Sequence, residues 1–532
     1  MNEIQVLDCT LRDGGYLNDW RFGIKMIRQT IQALITSNVE WVELGFLRNE
    51  DAIPGRTVFR TPEQACAMLP EKHGNTRFAL MALHGRYDEK QLSTYSGGQI
   101  QRIRVTFHDY DAEQGLDYCE RIMEKGYEVS CNPINIMGYT DKKLISLLER
   151  VNQACPRVFS IVDTFGSMRR RDLQRIYSLC ENNLREEIAI GLHLHENLSL
   201  SYSLAQEFLQ IKSFGRSCVI DGSLLGMGRV PGNLCLELLL DCLNRDYDRA
   251  YSLDELLDTI DDYIIPIRQK VPWGYHIAYS LSAQYNLHRN YAEYLIGKGR
   301  LRAKDIKHIL SSVAPEKKAA YDEAYAERLY HAYQDVSHDD REARQRLSDI
   351  IRGRDLLVLA PGATLARERE KIQEHISKYS PLILAANFRS EIFPCDYLFF
   401  SNIKRYREYL PELDRGPALI VTSNVRGAEH ADYIFDYREL SYRDDTYSDN
   451  STIMLLRLLS QCGAASVTVA GFDGFGESPK EYIDNIVEHK SFRQNVGETN
   501  AEIRKQLRIL RGKMKVNLLT PSQYEDETRA EW

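Results

Sequence analysis

The chain has 532 residues, of which 43% are hydrophobic and 27% are charged, and its formal net charge is −8 at pH 7. This length predicts two or three domains, and the negative net charge does not favour a nucleic acid or an anionic membrane as a partner. We expect no membrane span, because no stretch approaches the roughly 18 apolar residues that a bilayer requires. We also expect no secretory signal. The eleven scattered cysteines form no C-x-x-C pair, which favours a cytoplasmic location.

A short apolar strand followed by a segment able to form a helix occurs eight times between residue 3 and about residue 245. Strands that are apolar on both faces are typical of a parallel sheet covered on both sides. Eight such units in this length predict a (β/α)8 barrel. An open, doubly wound sheet is the alternative, although it usually has fewer strands and a glycine-rich turn after the first. The predicted strands are Ile4 to Leu7, Trp41 to Phe46, Phe78 to Leu83, Ile103 to Phe107, Tyr127 to Asn132, Val158 to Asp163, Ile188 to His193 and Cys218 to Asp221.

Polar and charged side chains stand at the ends of these strands. The first strand runs into Asp8, and Arg12 and Asp13 follow just before two glycines. Because the strands of a barrel all end on one rim, where such enzymes carry out their chemistry, we expect these groups to converge there. The second strand carries Glu43 before Gly45, and Asn132, Asp163 and Asp221 stand at the ends of later strands. We interpret Asn132 and Asp163 as substrate contacts.

His193 and His195 form the pair that most strongly indicates a metal site. Residues i and i+2 of a strand point to the same side, so both imidazoles are expected to face the barrel mouth. Two histidines and the carboxylate of Asp13 make a three-ligand metal site with open positions for a substrate. The alternative for each histidine is a hydrogen-bonded core residue.

Three separated motifs resemble one known superfamily. Thr10-Leu11-Arg12-Asp13-Gly14, the His193-x-His195 pair and Gly232-Asn233 together resemble the metal-dependent aldolase and Claisen-condensation enzymes with TIM barrels, the HMG-CoA lyase-like superfamily. Its members include 4-hydroxy-2-oxovalerate aldolase, hydroxymethylglutaryl-CoA lyase and the isopropylmalate and homocitrate synthases. The resemblance covers residues 1–295 and is nearest to the hydroxy-oxovalerate aldolases.

The resemblance implies a role for each matching residue. Asp13, His193 and His195 match the ligands of a divalent metal, which is Mn²⁺ or Mg²⁺ first and Zn²⁺ or Co²⁺ as alternatives. Asn233 matches a residue that also reaches the metal in some members. Two further matches concern the substrate: Arg12 matches the arginine that stabilises an enolate oxygen, and Glu43 matches an acidic residue that supports that arginine or a metal-bound water.

The residue types agree with a reaction at a 2-oxo acid. A metal acts as a Lewis acid toward a chelated ketone and carboxylate, and Arg12 adds positive charge where negative charge develops. No lysine lies at a predicted strand end, which argues against a Schiff-base route. We therefore predict a metal-dependent carbon–carbon lyase (an aldolase) that acts through the enolate of a 2-oxo acid, pyruvate being expected, with an aldehyde as partner.

Tyr16 departs from the family pattern, because the hydroxy-oxovalerate aldolases carry a histidine there as general base. A tyrosine with its ordinary pKa of ~10 is a poor base at neutral pH, so the identity of the base stays open and Tyr16 is a catalytic candidate. In the aldolase branch a helical extension covers the barrel mouth and contributes a tyrosine. Tyr275 and Tyr279 are therefore catalytic candidates and His276 a substrate contact, with ordinary helix packing as the alternative for each.

We predict boundaries at residues 1–272 for the barrel, 273–350 for a helical extension and linker, and 351–532 for a Rossmann-like α/β domain. The extension contains predicted helices at Lys304 to Leu310, Pro315 to Gln334 and His338 to Arg352. The strands predicted for the last domain are Leu356 to Leu359, Leu382 to Ala385, Tyr397 to Phe400, Leu419 to Thr422, Tyr433 to Phe435 and Val467 to Ala470.

The last domain offers a weak nucleotide-binding signal. Gly362 and Thr364 follow its first strand at the start of a predicted helix, where an anion can bind, and Asp473 follows another strand end. A nucleotide or sugar nucleotide is the partner this pattern suggests, although the turn matches no standard phosphate loop. A packing or oligomerisation domain is the alternative, and we expect a homo-oligomer.

Two other functions stay open from the sequence. The first is a Claisen-type acyltransferase that uses acetyl-CoA and a 2-oxo acid. The second is a barrel that serves only as a scaffold while the carboxyl-terminal domain binds a nucleotide or sugar nucleotide. A complete ligand set argues against the scaffold, because a scaffold has no physical reason to gather those groups on one rim.

Overall fold

The computed structural model describes residues 4–409, 416–441, 450–476 and 496–525. The chain forms two compact units, one made of Met1–Arg289 with Ala314–Tyr321 and the other of Asn290–Val313 with Asp322–Trp532. Residues 273–350, predicted as a separate extension, contribute helices to both units. None of the helices in the described ranges combines the length and apolar character needed to cross a membrane.

The first unit contains a closed barrel of eight parallel strands, which confirms the predicted fold. Each strand pairs with its neighbours in chain order, and β1 pairs with both β2 and β8 to close the ring. A two-residue strand, Val58–Phe59, adds to the edge of β2. The barrel strands are β1 Ile4–Asp8, β2 Trp41–Leu47, β3 Arg77–Leu83, β4 Ile100–Phe107, β5 Glu128–Pro133, β6 Val158–Asp163, β7 Ala189–Leu194 and β8 Cys218–Gly222.

Helices surround the barrel, but one crossover lacks an α-helix, contrary to the prediction of a helical segment after every strand. Residues 84–99, between β3 and β4, contain only the 3-10 turn Glu89–Gln91. Gly85 and Gly97 adopt positive φ there, a conformation that interrupts a helix. The helices of this unit are α1 Thr10–Asp13, α2 Ile24–Thr36, α3 Pro62–Cys66, α4 Ala112–Glu124, α5 Asp141–Ala154, α6 Arg170–Asn183, α7 Ser201–Ile211, α8 Leu236–Asp246, α9 Asp254–Thr259, α10 Ile265–Lys270 and α11 Ile277–Gln284.

Strand alternation directs the functional side chains into the barrel. On β7, Ile190, Leu192 and Leu194 belong to the large apolar core, whereas Ala189 belongs to the small cluster of the other face. His193 shares the register of Ala189, because side chains two and four residues apart lie on one face of a strand. The alternation along β7 therefore sets the direction of the His193 side chain, which is buried.

The second unit begins with helices. They are α12 Asn290–Gly297, α13 Ala303–Ser311, α14 Glu323–Gln334 and α15 Arg341–Ile351. The helix predicted from Pro315 begins instead at Glu323, because the Asp322 side chain caps it and accepts a 2.9 Å hydrogen bond from the backbone N–H of Tyr325. Pro315–Lys317 is a separate 3-10 turn.

A seven-stranded parallel sheet follows, which confirms the Rossmann-like pattern. Its strands are β9 Leu356–Leu359, β10 Leu382–Ala386, β11 Tyr397–Phe400, β12 Ala418–Thr422, β13 Tyr433–Phe435, β14 Ser466–Ala470 and β15 Lys515–Leu518, in the order β13-β12-β11-β10-β9-β14-β15. Strand β15 was not predicted from the sequence, because it is short and only partly buried. The helices described here are α16 Thr364–Arg367, α17 Arg369–Tyr379, α18 Ile403–Tyr409, α19 Tyr437–Leu440, α20 Ser451–Gln461 and α21 Val496–Arg511.

Candidate active site

Asp13, His193 and His195 meet at the mouth of the barrel. Asp13 ends α1, directly after β1, and the two histidines lie at the end of β7. The Oδ2 atom of Asp13 is 4.0 Å from Nε2 of His193 and 3.8 Å from Nε2 of His195. The ligating atoms of the three residues all lie within 4.8 Å of one another, and within the described ranges no other group of three or more His, Cys, Asp or Glu residues comes this close. The structure therefore brings together the three predicted metal ligands.

The second ring nitrogen of each histidine is held by an acceptor. Nδ1 of His193 is 3.0 Å from a carboxylate oxygen of Asp221, and Nδ1 of His195 is 2.9 Å from the backbone carbonyl of Asp163. Both acceptors favour a proton on Nδ1, so Nε2 is the nitrogen of each ring that is left to bind a metal. This is the tautomer in which histidine binds a metal.

The ionisation states also suit a cation. Burial, with the neighbouring His193, lowers the pKa of His195 to about 4, so its ring is neutral at pH 7. Burial opposes ionisation of Asp13, but the charge of Arg12, with a smaller contribution from the two neighbouring imidazoles, outweighs it and lowers the pKa of Asp13 to about 2. The site therefore presents the Asp13 carboxylate and the neutral imidazole of His195 at neutral pH.

Two buried oxygens test whether these residues fit a metal. Oδ2 of Asp13 and Oδ1 of Asn233 have no hydrogen-bond partner in the part of the chain that the structure describes. Asn233 pairs with His195 in an isolated β-bridge, and its amide nitrogen donates to the Met227 carbonyl at 3.3 Å. Because a buried oxygen without a partner is costly, a donor set of two oxygens and two imidazole nitrogens fits a divalent cation.

A chain of buried ion pairs runs behind the three ligands. Arg12 donates to Glu43 and to Oδ1 of Asp13, each at 2.7 Å. Arg104 lies 3.0 Å from the same Glu43 oxygen and also pairs with Asp221. Burial opposes the charge on Arg12, but Glu43 and Asp13 outweigh it and raise its pKa above the ordinary value. Arg12 is thus a fixed positive charge beside the predicted metal site.

Arg104 was not predicted from the sequence as a functional residue, and no role was predicted for Asp221. Arg104 is fully buried on β4, two residues after another buried arginine, Arg102. Two arginines at i and i+2 within an apolar strand place two charges on one face, which is a signal that could have been read from the sequence.

These residues open into a cavity of about 180 Å³ at the carboxyl ends of the strands. Among the predicted residues, the cavity is lined by Arg12, Asp13, Tyr16, Asn132, His193 and His195. The lining residues that the sequence analysis did not identify include Arg104, His108, Asn197, Arg229, His288 and Arg289. Several of these come from loops, where neither strand register nor helical spacing predicts direction.

Tyr16 lies at the cavity, in edge-to-face contact with Trp20 at 4.9 Å between ring centroids. Desolvation in the cavity and the nearby Asp13 charge raise the pKa of Tyr16 above its ordinary value. The hydroxyl is therefore protonated at neutral pH, which disfavours the role of general base.

Asp163 was predicted to contact substrate, but it is not among the residues lining the cavity. Its carboxylate accepts the backbone N–H groups of Ser167 at 2.9 Å and Met168 at 3.2 Å. Burial raises the pKa of this carboxyl to about 7. The structure thus gives Asp163 two supporting contacts: its side chain holds the following loop and its carbonyl orients His195.

The three candidates from the helical segment do not line the cavity either. Tyr275 is 58% exposed. His276 caps α11, where its ring accepts the backbone N–H of Ala278 at 3.3 Å. Tyr279 is buried, and the Arg289 guanidinium lies 5.4 Å from its ring centroid. Tyr279 therefore supports a cavity residue.

The turn predicted to bind a nucleotide in the second unit is filled by a side chain of the same unit. Asp473 accepts the backbone N–H of Thr364 at 2.8 Å and also bonds its hydroxyl. A Cβ atom added at Gly362 would lie 2.5 Å from the Asp473 carboxyl carbon. Since this carboxylate occupies the donors that a phosphate would use, the arrangement gives no support to a phosphate site at Gly362 and Thr364.

The model of the HMGL-like family matches residues 3–262. These residues form an HMGL-like domain. The match confirms, for the barrel, the superfamily that the sequence motifs predicted.

Curated relatives match about half of this chain. The chain is 23% identical over 257 residues to an oxaloacetate decarboxylase of Mycobacterium tuberculosis, an alignment that covers 48% of this chain and 74% of that protein. It is 25% identical over 298 residues to a 4-hydroxy-2-oxovalerate aldolase of a Marinomonas species, covering 53% and 85%. Among solved structures, the carboxyl transferase domain of Rhizobium etli pyruvate carboxylase is 13% identical, with a TM-score of 0.47 and coverage of 65% of each chain.

Replacing Asp221 by asparagine is expected to weaken metal binding by about 10- to 100-fold, because a carboxylate that orients a metal-ligating histidine typically contributes that much. The amide can still fill the space but loses the charge that pairs with Arg104 and holds Nδ1 of His193. Calorimetric titration with Mn²⁺ measures the effect. Asp241→Asn, a change at an exposed aspartate of α8, is the control. Equal Mn²⁺ affinity in Asp221→Asn and the unchanged protein would contradict the orienting role.

Acid is expected to destabilise the first unit partly through His288. Burial, followed by the charges of Arg229 and Arg289, lowers the pKa of His288 to about 4, against an unfolded value of ~6.5. The unfolded chain takes up the proton first, so this contribution to stability is complete above pH 6.5 and is lost as the pH falls through 4. We expect the free energy of unfolding, measured in urea, to fall between pH 7 and pH 4.5 in both proteins. The fall should be about 2 kcal/mol smaller in His288→Gln than in the unchanged protein.

The exposed His430 provides the control for this experiment. His430→Gln, in the second unit, should lose as much stability on acidification as the unchanged protein. If His288→Gln loses as much stability on acidification as His430→Gln and the unchanged protein do, the fold does not keep His288 neutral.

Proposed function

We propose that this chain is a divalent-metal-dependent carbon–carbon lyase, an aldolase that makes or breaks a bond next to a 2-oxo acid, with pyruvate as that acid and an aldehyde as its partner. The observation that carries the proposal is the cluster of Asp13, His193 and His195 beside the Arg12 guanidinium. The family match and the aldolase and decarboxylase names of the relatives support the reaction class.

Asp13, His193 and His195 would hold the metal, with Asn233 beside them. We propose Mn²⁺ or Mg²⁺, with Zn²⁺ or Co²⁺ as alternatives. A divalent cation bound there would supply Lewis acidity toward the ketone of a 2-oxo acid. The remaining tasks of binding, orientation and proton transfer belong to side chains of the cavity.

Arg12 is placed to stabilise the negative charge that develops on the ketone oxygen when the bond next to it breaks. A pre-oriented cation in a desolvated site usually supplies one of the largest catalytic contributions. The 2.7 Å bonds to Glu43 and Asp13 fix the guanidinium before the substrate arrives. Glu43 is itself held by Arg104, so Arg12 requires little reorganisation during the reaction.

Tyr16 is placed to act on the aldehyde. Because the pKa of Tyr16 is raised, its hydroxyl is suited to donate a hydrogen bond or a proton to the aldehyde oxygen. The histidine that the aldolase branch uses as a base at this position is thus replaced here by a group with donor character. We propose that the base is a different residue of the cavity.

The proposal is tested by proton exchange at pyruvate. Incubation with Mn²⁺ or Mg²⁺ in D₂O should replace the methyl protons of pyruvate by deuterium, which proton NMR follows directly. We expect His193→Ala to reduce the exchange rate to that of the metal in buffer. Exchange no faster than the protein-free control, or exchange that survives His193→Ala, would exclude pyruvate enolisation at this site.

The two alternative functions, the oligomeric state and the location are proposals that no contact in the described residues favours. The acetyl-CoA-dependent acyltransferase predicts thiol release in the presence of 2-oxo acids, and the scaffold function predicts nucleotide binding in the second unit. A homo-oligomer is still a prediction. All eleven cysteines are free, which supports the cytoplasmic location that we propose.

A further inference from the structure

A short turn after the last barrel strand supports Asn233, the residue that we place beside the metal. The turn, Leu224–Gly226, follows β8, and the backbone N–H of Asn233 donates to the Gly226 carbonyl at 3.0 Å. The two segments are in close contact, because a Cβ atom added at Gly232 would lie 2.4 Å from the same carbonyl oxygen. The position of Asn233 therefore depends on the position of this turn.

The turn contains a leucine in a conformation that leucine rarely adopts. Leu225 has a φ of 52° and a ψ of 27°, which lie in the left-handed region that glycine and asparagine usually occupy. A side chain of this size persists there only where the surrounding contacts hold the backbone. The backbone of Leu225 therefore indicates that neighbouring groups fix the turn.

Three side chains from separate parts of the chain hold this turn, and we refer to them as the turn clamp. The Thr10 hydroxyl on α1 accepts the backbone N–H of Leu224 at 2.8 Å. The Glu237 carboxylate on α8 accepts the backbone N–H of Leu225 at 3.0 Å. The indole N–H of Trp273 donates to the Leu225 carbonyl at 2.9 Å. Because these bonds lie on both sides of Leu225, they fix the turn together.

Thr10 connects the turn to the helix that carries Asp13. Its hydroxyl donates to Oδ2 of Asp8 at 2.6 Å, and its backbone N–H donates to Oδ1 of the same carboxylate at 3.1 Å. Thr10 and Asp8 are both fully buried, and neither is among the residues lining the cavity. Since Thr10 begins the helix that Asp13 ends, its hydroxyl joins the element with one predicted ligand to the turn below Asn233.

The side chain of Asn233 gives this support a functional meaning. Its Oδ1 atom is buried and has no hydrogen-bond partner in the ranges that the structure describes. Its amide nitrogen donates to the Met227 carbonyl at 3.3 Å, and its backbone pairs with His195 in the isolated β-bridge. An unpaired buried oxygen is costly unless a ligand uses it. The turn therefore holds a potential oxygen donor next to a predicted metal ligand.

We propose that Thr10 is a positioning residue, which acts with Glu237 and Trp273 to hold the Asn233 amide oxygen at the metal site. The inference rests on the proposed function, because it assigns the turn clamp to the metal proposed above. None of the three clamp residues is among those that line the cavity, so none needs to touch the metal or the substrate. Their effect on metal binding passes through Asn233.

Calorimetric titration with Mn²⁺ tests this route through variants of the clamp. Thr10→Val keeps the size of the side chain and removes the hydroxyl. We expect it to weaken Mn²⁺ binding by about tenfold, the lower end of the effect of losing a contact that orients a metal ligand. Thr10→Ser keeps the hydroxyl and should bind Mn²⁺ as the unchanged protein does. Trp273→Phe keeps an aromatic ring, loses the bond to the Leu225 carbonyl and should weaken binding as Thr10→Val does.

Thr76→Val is the matched control for the loss of a buried hydroxyl. Thr76 is buried, and its hydroxyl donates to the Val39 carbonyl at 2.8 Å. It directly precedes β3, so it lies at the amino-terminal end of the barrel strands, opposite the mouth. Its replacement should lower the free energy of unfolding in urea and leave Mn²⁺ binding unchanged.

A double variant separates positioning from general damage to the fold. Asn233→Ala should weaken Mn²⁺ binding by itself. Thr10→Val should add no further loss in that background, because its effect passes through a side chain that is already absent. Equal fold-losses from Thr10→Val in the two backgrounds would overturn the route through Asn233. If Thr10→Val does not fold, the same comparison with Trp273→Phe decides the question.

The other outcomes separate the two proposals. No Mn²⁺ binding by the unchanged protein would overturn the metal-dependent function and, with it, the role of the clamp. Normal Mn²⁺ binding in both Thr10→Val and Trp273→Phe would leave that function in place and overturn the clamp alone. Binding by Thr10→Ser as weak as that of Thr10→Val would also overturn the clamp, because the hydroxyl would then have no part in the effect.

Discussion

Asp13→Asn is expected to remove bound metal and to reduce the metal-dependent exchange of pyruvate protons by about 10³-fold or more, the effect of losing several kcal/mol of Lewis-acid stabilisation. The amide keeps the size of the side chain but loses the charge that faces both imidazoles, at 4.0 Å and 3.8 Å in the folded protein. Elemental analysis of the purified variant and calorimetry with Mn²⁺ measure the loss directly.

Asp19→Asn is the matched control, since Asp19 is a nearby aspartate whose side chain is 57% exposed. It should bind metal and exchange pyruvate protons as the unchanged protein does. Normal metal content in Asp13→Asn, with normal exchange, would show that the three residues do not hold the ion. Normal metal content with lost exchange would instead assign Asp13 a role in the chemistry alone.

Arg12→Gln is expected to lower kcat for pyruvate exchange by about 10²- to 10³-fold while the metal stays bound, as for the loss of one pre-oriented donor to a developing oxyanion. Asp13 loses one of its hydrogen bonds, but Glu43 keeps Arg104 as a partner. The metal content must be measured in the same samples, because it separates this effect from that of Asp13→Asn.

Arg48→Gln provides the control for Arg12. The Arg48 guanidinium lies 4.8 Å from the Phe46 ring centroid, close to the mouth, but is not among the residues lining the cavity. Its replacement removes the same charge and should change kcat little. Equal losses in the two variants would show that general positive potential, and not the position of Arg12, supports the reaction.

The barrel and the three ligands were predictable because both depend on local patterns. Alternation along β7 places His193 and His195 on one face whatever the rest of the chain does. The rule that barrel strands end on one rim then brings Asp13 to the same place. Neither step requires knowledge of a specific long-range contact.

The supporting contacts were not predictable, because they join residues far apart in the chain or depend on a choice between partners. Arg104 pairs with Asp221 across 117 positions. Asp163 stands at a strand end, as predicted, yet its carboxylate turns to the backbone of the next loop. Asp473 likewise fills the turn at Thr364 that the sequence had left open for a phosphate.

The positions of the barrel strands, the common direction of the two histidines and the carboxylate and guanidinium after the first strand could all be read from the sequence, because alternation along a strand and the residues at its end are local properties. The set of side chains that line the cavity follows from the three-dimensional fold alone. Arg229, His288 and Arg289 line the cavity from segments outside the strands and helices, and the direction of such segments follows from packing that no short motif encodes.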